Sequence, residues 1–307
     1  MRKTFKTQPS LFVFGAALDH ASLHGLDDTE AVLDWARLEA LMKEIYASET
    51  GRPSYPLLTL LRGLLLGIWY KLSDEELASS LARDLLFRRF CRLELSADIP
   101  DATTLGRFRQ QLVEHDLWEK LLGEVNQQLE DHQVIMAQGR VNIIDATPVE
   151  AVQSGPGKGV DGNPTKDAEA GWHVKQVTPG NVHDSRERDT LLLGDESPLY
   201  ADAAYSSAET QEKLARFGID DRVQRKGYRN HPLSVPDHQR NKEIAVTRSG
   251  GERPFATYKR LYGLARTRFV GLDKNLTFYG LAAMASNIRK GAKFLTLYGI
   301  REPAATG

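Results

Sequence analysis

The chain has 307 residues, 41% of them hydrophobic and 26% charged, a globular composition with ample apolar material for a buried core. One cysteine, Cys91, excludes an internal disulfide framework and a cysteine-built zinc site. The net charge of −1 hides an uneven distribution: residues 11–50 hold eight acids against two bases, and residues 241–293 hold eleven bases against three acids. The basic stretch interleaves aromatics (Phe255, Tyr258, Tyr262, Phe269), and Arg222, Arg225, Lys226, Arg229 and Arg240 extend it upstream. A polyanion is the partner that this pattern suits, with a merely solvated basic face as the bland reading.

No apolar run approaches the ~18 residues a membrane span needs. Pro56–Tyr70 is the longest, and it contains Arg62. The basic start, Met1-Arg-Lys-Thr-Phe-Lys, runs into Gln8-Pro-Ser with no long apolar core behind it, so a secretory signal is not expected and a cytoplasmic location is.

Residues 1–137 read as nearly all helix. Trp35, Leu38, Leu41, Met42 and Ile45 form an amphipathic stripe over 31–47. Pro56–Tyr70 is apolar almost all round and predicts a helix in the middle of a bundle. Ser73-Asp-Glu-Glu76 is a capping box that opens a helix over 74–91. Asp101-Ala-Thr-Thr104 starts a helix over 105–112, and another covers 118–129. Two short helices joined by a polar loop, the second bearing Thr104, Arg107 and Arg109, fit a helix-turn-helix element or an ordinary bundle with arginines on its wet face.

Residues 138–307 change character. Strands are predicted at 140–145, 172–178, 199–205 and 219–223, and helices at 184–193, 207–217, 251–264 and 276–297. Residues 154–169, rich in Gly, Pro, Asp and Lys, predict a loop. The alternation indicates an α/β domain. Asp145 and Asp202 stand near the carboxyl ends of candidate central strands, where a charge is costly unless neutralised. A divalent cation does that, and Mg²⁺ takes a few carboxylates while leaving room for water and phosphate. Glu252 is the best third acid, because it opens a helix in the basic segment beside Arg248 and Lys259. Two ions about 3.5–4 Å apart suit phosphodiester chemistry.

Other motifs carry less. The eight histidines lack close zinc-ligand spacing. Gly155-Pro-Gly-Lys-Gly159 lacks the Gly-Lys-Ser/Thr of a phosphate loop. Asp184 beside His183 reads as a helix cap, while Tyr205 and Cys91 read as core residues and Trp172 as a core or loop anchor.

In this order the segments resemble bacterial insertion-sequence transposases with a DDE active site, in the insertion-sequence-five group. Tyr55-Pro-Leu-Leu through Leu77, Phe87-Arg-Arg-Phe90 and Asp101 through Arg109 are similar to that group's helical N-terminal domain. Asp145-Ala-Thr resembles the segment bearing the first catalytic Asp. Thr178-Pro-Gly-Asn-Val-His-Asp184 and Ala201-Asp-Ala-Ala-Tyr205 resemble those leading to and bearing the second. Arg248, Glu252 and Lys259 fall at the spacing of the family's Tyr-Arg-Glu-Lys signature, with Ala245 at the tyrosine position. Gly271-Leu-Asp-Lys-Asn275 is similar to the following block.

The resemblance implies an RNase H-like mixed sheet with flanking helices, preceded by an all-helical DNA-binding and assembly domain. It implies metal ligation by Asp145, Asp202 and Glu252, with Mg²⁺ as cofactor and Mn²⁺ able to substitute. It gives Arg248 and Lys259 to DNA phosphate, joined by Arg107 and Arg109 of the helical domain. The implied partners are double-stranded DNA, as terminal inverted repeats and target, and further copies of the chain on that DNA. The implied location is the bacterial nucleoid.

One departure stands out. Between Asp145 and Asp202 such a sheet needs two strands and a helix, and only Trp172–Thr178 is a convincing strand there. His173-Val-Lys175 runs almost directly into Gln176-Val-Thr178. This predicts an internal deletion of roughly one hairpin near Lys175/Gln176, with a shortened functional variant as the competing reading. Two other functions stay open: a catalytically impaired copy acting as a DNA-end-binding repressor, and a structure-specific nuclease of the same fold.

Overall fold

The computed structural model describes residues 21–46, 54–132, 142–144, 147–148, 171–172 and 198–298. They fall into two units, one from the stretch up to Val134 together with Asn287 onward, the other within Ile135–Ser286.

The first unit is helical: α1 (Asp27–Ala31), α2 (Trp35–Leu41), α3 (Leu57–Trp69), α4 (Asp74–Arg83), α5 (Leu85–Phe90), α6 (Ala102–Glu114) and α7 (Leu117–Asp131). The amphipathic stretch expected over 31–47 is not one helix. Asp34 breaks it, accepting from the Ala36 amide at 3.0 Å, while Gln128 of α7 bonds both the Asp34 N–H (2.7 Å) and C=O (3.2 Å). Its apolar stripe is still used, with Trp35, Leu38, Met42 and Ile45 buried. The capping box forms as read: the Ser73 hydroxyl accepts from the Glu76 amide and the Glu76 carboxylate from the Ser73 amide. The helix it opens ends at Arg83, because the Asp84 carboxylate takes the Leu86 and Phe87 amides and starts α5 anew.

Helix α3 is buried along nearly its whole length, Arg62 included, which is 2% exposed. Arg62 donates to the Phe90 carbonyl (2.9 Å) and to Glu30 (3.1 Å), and its guanidinium lies 4.5 Å from the Trp35 ring centroid. Thr59 donates to the Cys91 carbonyl at 3.0 Å. Two carbonyls at the end of α5, which have no partner within the helix, are thus satisfied by α3. Burial pulls the Arg62 guanidinium below its ordinary pKa, and Glu30 opposes that shift. Cys91 is fully buried, which pushes its thiol up to about 12 and leaves it a packing residue.

The acid-rich segment near the N-terminus finds its counter-charges here. Glu30 also holds Arg92, and Asp27 pairs with Arg89 at 3.1 Å. The connection Cys91–Asp101 is organised by buried Arg88, which donates to the carbonyls of Leu81, Glu94 and Ala97. At that length it is not the three- or four-residue turn of a helix-turn-helix, so the bundle reading applies to α5 and α6.

The second unit holds β1 (Asn142–Ile144), β2 (Thr147–Pro148), β3 (Gly171–Trp172), β4 (Leu199–Ala201), α8 (Ala208–Arg216), β5 (Asp221–Val223) and α9 (Val235–Ala256). The final helix, α10 (Leu272–Tyr298), starts here and ends in the first unit. Strands β1, β4 and β5 form a parallel sheet in the order β1-β4-β5, in register Ile144↔Ala201 and Ala201↔Val223. Strands β2 and β3 pair antiparallel, Thr147 opposite Trp172. Helix α8 is the crossover between the parallel neighbours β4 and β5. It ends on Gly218 (φ +69°), where the Ile219 amide closes on the Leu214 carbonyl. Leu199, Ala201, Tyr205, Leu214, Ile219 and Val223 form its core. The helix expected over 184–193, the loop over 154–169 and the proposed deletion junction lie outside the described residues. Among the described residues, no helix is long and apolar enough to cross a membrane.

Within the first unit α10 is seated by Gly291, where a Cβ would stand 2.5 Å from Leu129 Cδ2 and 2.9 Å from Val32 Cγ2. Asn287 donates to Asn126 at 2.8 Å, and the Arg289 guanidinium lies 5.0 Å from the Trp69 ring centroid.

Three variants test the packing of this unit. Arg62→Ala leaves the Phe90 carbonyl unpaired and a void between Trp35 and Phe90, while Glu30 keeps Arg92, and is expected to cost about 2–5 kcal/mol. Arg92→Ala, at an exposed pair, costs about 1 kcal/mol or less. Urea unfolding followed by tryptophan fluorescence measures both, since Trp35, Trp69 and Trp118 all lie in this unit. Gly291→Leu overpacks the α10 seat by about 1–3 kcal/mol, and adding Leu129→Ala returns part of that loss in the same measurement.

Candidate active site

The site grows from the carboxyl ends of β1 and β4. Their parallel register ends level, Ile144 beside Ala201. In sequence an aspartate follows each strand at once. Asp145 lies outside the described residues. Asp202 is half-buried and caps the short turn Ala203–Tyr205, its Oδ1 accepting from the Ala204 amide at 2.8 Å. Its other oxygen makes no bond to a described residue. Below it Tyr205 is buried in the sheet's core, as read.

Strand β5 extends this edge. The Gln224 amide donates to the Ala201 carbonyl at 3.0 Å, immediately before Asp202. Helix α9 packs against β4 and β1. It begins at Val235, sixteen positions before the predicted start at Gly251. Ser234 and Asp237 form its reciprocal cap: Ser234 Oγ accepts from the Asp237 amide, and Asp237 Oδ2 accepts from the Ser234 amide. The Ser234 hydroxyl, which donates to Asp237 Oδ2 at 2.6 Å, and the Ser234 amide hold the Asp237 carboxyl below its ordinary pKa. The Ser-x-x-Asp spacing was the missed signal.

Three side chains fasten α9 to β5 and the two residues that follow it. Arg240 donates to the carbonyls of Val223 (2.7 Å) and Asp221 (2.6 Å). Asn241 bonds both backbone groups of Arg225, accepting at 2.8 Å and donating at 2.9 Å. Arg248 donates to Gln224 Oε1 at 3.0 Å. Burial, with Arg225 nearby, lowers the pKa of Arg240, and Asp221 opposes this. Glu252 stands one turn beyond Arg248 in α9; its side chain is not among those described. Lys259 is half-buried in the π-helical turn Thr257–Leu261 that continues α9.

In the helical unit the two predicted arginines have different surroundings. Arg107 is exposed. Arg109 is buried in a two-pronged ion pair with Asp74, at 3.0 and 2.6 Å, tying α6 to the first turn of α4. A DNA phosphate would have to compete with that carboxylate.

Among the described residues no three acidic, histidine or cysteine side chains gather; of the three predicted carboxylates only Asp202 has a described side chain. Its environment suits a hard cation, with one oxygen fixed by a cap at the carboxyl end of a parallel strand. An acid at that sheet end, with Arg248 brought to the same edge, is equipment for phosphoryl transfer on a polyanion. Residues 18–111 match the family described as Transposase domain (DUF772), and residues 137–288 match Transposase DDE domain. The chain belongs to the DDE-type transposases, enzymes that move DNA and as a family use a divalent metal. No solved structure matches it.

Arg109→Ala is expected to lose about 2–3 kcal/mol of stability, as removal of a charged hydrogen-bonded pair does. Arg107→Ala stays within about 0.5 kcal/mol. Chemical denaturation of the two single variants separates these outcomes.

Proposed function

We propose that this DNA transposase cleaves the ends of an insertion sequence of the insertion-sequence-five group and joins the freed 3′ ends to target DNA. Asp145, Asp202 and Glu252 would hold Mg²⁺, with Mn²⁺ able to substitute, on an RNase H-like catalytic domain. The observation that carries this reading is the level ending of β1 and β4 with α9 packed against both. Each of the three elements carries or directly precedes one of the three acids. All three donors are carboxylate oxygens, the set a hard divalent cation takes.

When bound, the metal supplies charge neutralisation at the phosphodiester and activation of the attacking oxygen. The chain's own residues position the reactants. Asp202 Oδ1 is held by the Ala204 amide, so its carboxylate is oriented before substrate arrives. Arg248 and Lys259 bind DNA phosphate near the cut. A water oxygen bonds to phosphorus, and the DNA 3′ oxygen leaves with a proton. That 3′-hydroxyl then attacks a target phosphodiester, displacing its 3′ oxygen. Neither step forms a covalent protein–DNA bond. The helical part, residues 1–137, recognises the ends, with exposed Arg107 as a phosphate contact. Two ends must meet, so a dimer or larger assembly forms on DNA.

The test uses the full chain, Mg²⁺ or Mn²⁺, and labelled duplexes spanning both boundaries of the element that carries this coding sequence. Metal-dependent nicking and strand transfer are expected, falling to background in Asp202→Ala with end binding kept. Cleavage that survives Asp202→Ala removes Asp202 from the site. Binding without any metal-dependent cleavage would make the chain an end-binding repressor, and cleavage without joining of pre-cut ends a nuclease. Arg107→Ala is expected to shrink the salt dependence of end binding by about 0.9 in log–log slope.

A further inference from the structure

Resting on the metal-site reading above, we infer that Gln224 is a positioning residue for that site. It fixes the rotation of the helix bearing Glu252 relative to the strand end bearing Asp202. Gln224 bonds in three directions. Its backbone N–H donates to the Ala201 carbonyl at 3.0 Å, its Oε1 accepts from Arg248 at 3.0 Å, and its Nε2 donates to the Asn241 carbonyl at 3.1 Å. One pole of the amide therefore holds α9 at Asn241 and the other holds it two turns later at Arg248. Reversing the amide would lose both bonds, so the arrangement is directional.

The geometry of a helix explains why this matters for Glu252. Apolar packing, here through buried Ile244, presses α9 onto the sheet but resists rotation about the helix axis only weakly. Hydrogen bonds resist it strongly, because they fail within a few tenths of an ångström and tens of degrees. Asn241 and Glu252 are eleven residues apart, so on an α-helix they stand within about 20° of each other. Arg248 and Glu252 are neighbours one turn apart. The stripe that Gln224 grips is the stripe on which Glu252 stands. Asn241 braces it further through the Arg225 backbone, two bonds that copy a strand partner. The same residue thus joins the backbone beside Asp202 to the face of α9 that carries the third acid.

The experiment uses the full-length chain as parent, Gln224→Ala, Gln224→Glu, Asp202→Ala and Gln239→Ala. Gln239 is the control, since it pairs with Glu243 on the exposed side of α9. Mn²⁺ binding is read by electron paramagnetic resonance without DNA, and hydrogen exchange over 241–256 is read without metal. Gln224→Ala is expected to weaken Mn²⁺ binding about 10–100-fold and to speed exchange over 245–256, while α8 keeps its protection. Gln224→Glu, which keeps an acceptor for Arg248, recovers most of the Mn²⁺ affinity, and Gln239→Ala matches the parent. Parental Mn²⁺ affinity in Gln224→Ala overturns the inference, whether or not exchange changes, as does failure of Gln224→Glu to recover it. If Asp202→Ala binds Mn²⁺ like the parent, the metal-site reading itself fails. The exchange measurement, made without metal, still judges the grip on α9.

Discussion

Everything in the second unit depends on β1, β4 and β5 running parallel with their ends level. A parallel pair cannot be closed by a tight turn, so long segments must separate strands that lie side by side. That is how acids fifty-seven residues apart in the sequence come to follow neighbouring strand ends. The arrangement also leaves β5 as an edge among the described strands, with outward carbonyls at Asp221 and Val223. Arg240 occupies both of them, and Asn241 takes the backbone of Arg225 beyond. An edge strand is a liability unless covered. Here the cover is α9, so the packing that protects the edge also sets that helix against the strands whose ends stand level.

Charge in the first unit is spent internally. Asp27 and Glu30 look, in sequence, like an acidic patch, and Arg62, Arg89 and Arg92 look like a basic one. In the fold they meet. Arg37 pairs with Glu124, and Arg109 with Asp74. Arginine density along this segment therefore overstates the surface left for nucleic acid. Arg62 shows why such a residue is kept in a buried helix. Its planar fork reaches the end of α5 and Glu30 together while its faces lie against Trp35 and Phe90, which a lysine cannot do.

Local chemistry was legible in the sequence and distant chemistry was not. The Ser73–Glu76 box, the Asp101 cap and the apolar helix Leu57–Trp69 could be read because each is written within a few residues. The break at Asp84 was missed because a strong helical pattern runs through it and only the carboxylate's choice of the amides beyond reveals it. The early start of α9 was missed because its exposed first half has almost no apolar period. Asp202 could be placed because short apolar strands ending in an acid are conspicuous. The partners of Arg109 and Arg248 could not, since Asp74 and Gln224 lie 35 and 24 residues away. Likewise α10 reads as one helix in sequence, and nothing local says that its last turns belong with the first unit.

The signature spacing of Glu252 and Lys259 illustrates the same limit. Seven residues on an unbroken α-helix return to within about 20° of the starting direction. This chain keeps the spacing but leaves α geometry at Thr257, where a π-helical turn runs to Leu261 and the Tyr262 amide reaches back five residues to the Thr257 carbonyl. Such turns are rare, and this one is packed with aromatic rings. Tyr258 is buried, its ring stacked 6.3 Å from Tyr262 and edge-on to Phe255 at the same separation, and the Leu264 amide closes on its carbonyl. Burial also drives the Tyr258 phenol's pKa far upward, so it acts as a neutral packing group. The direction in which Lys259 leaves the helix therefore follows from a π-helical turn packed with three aromatic rings, which a count of seven residues on an ideal α-helix does not anticipate.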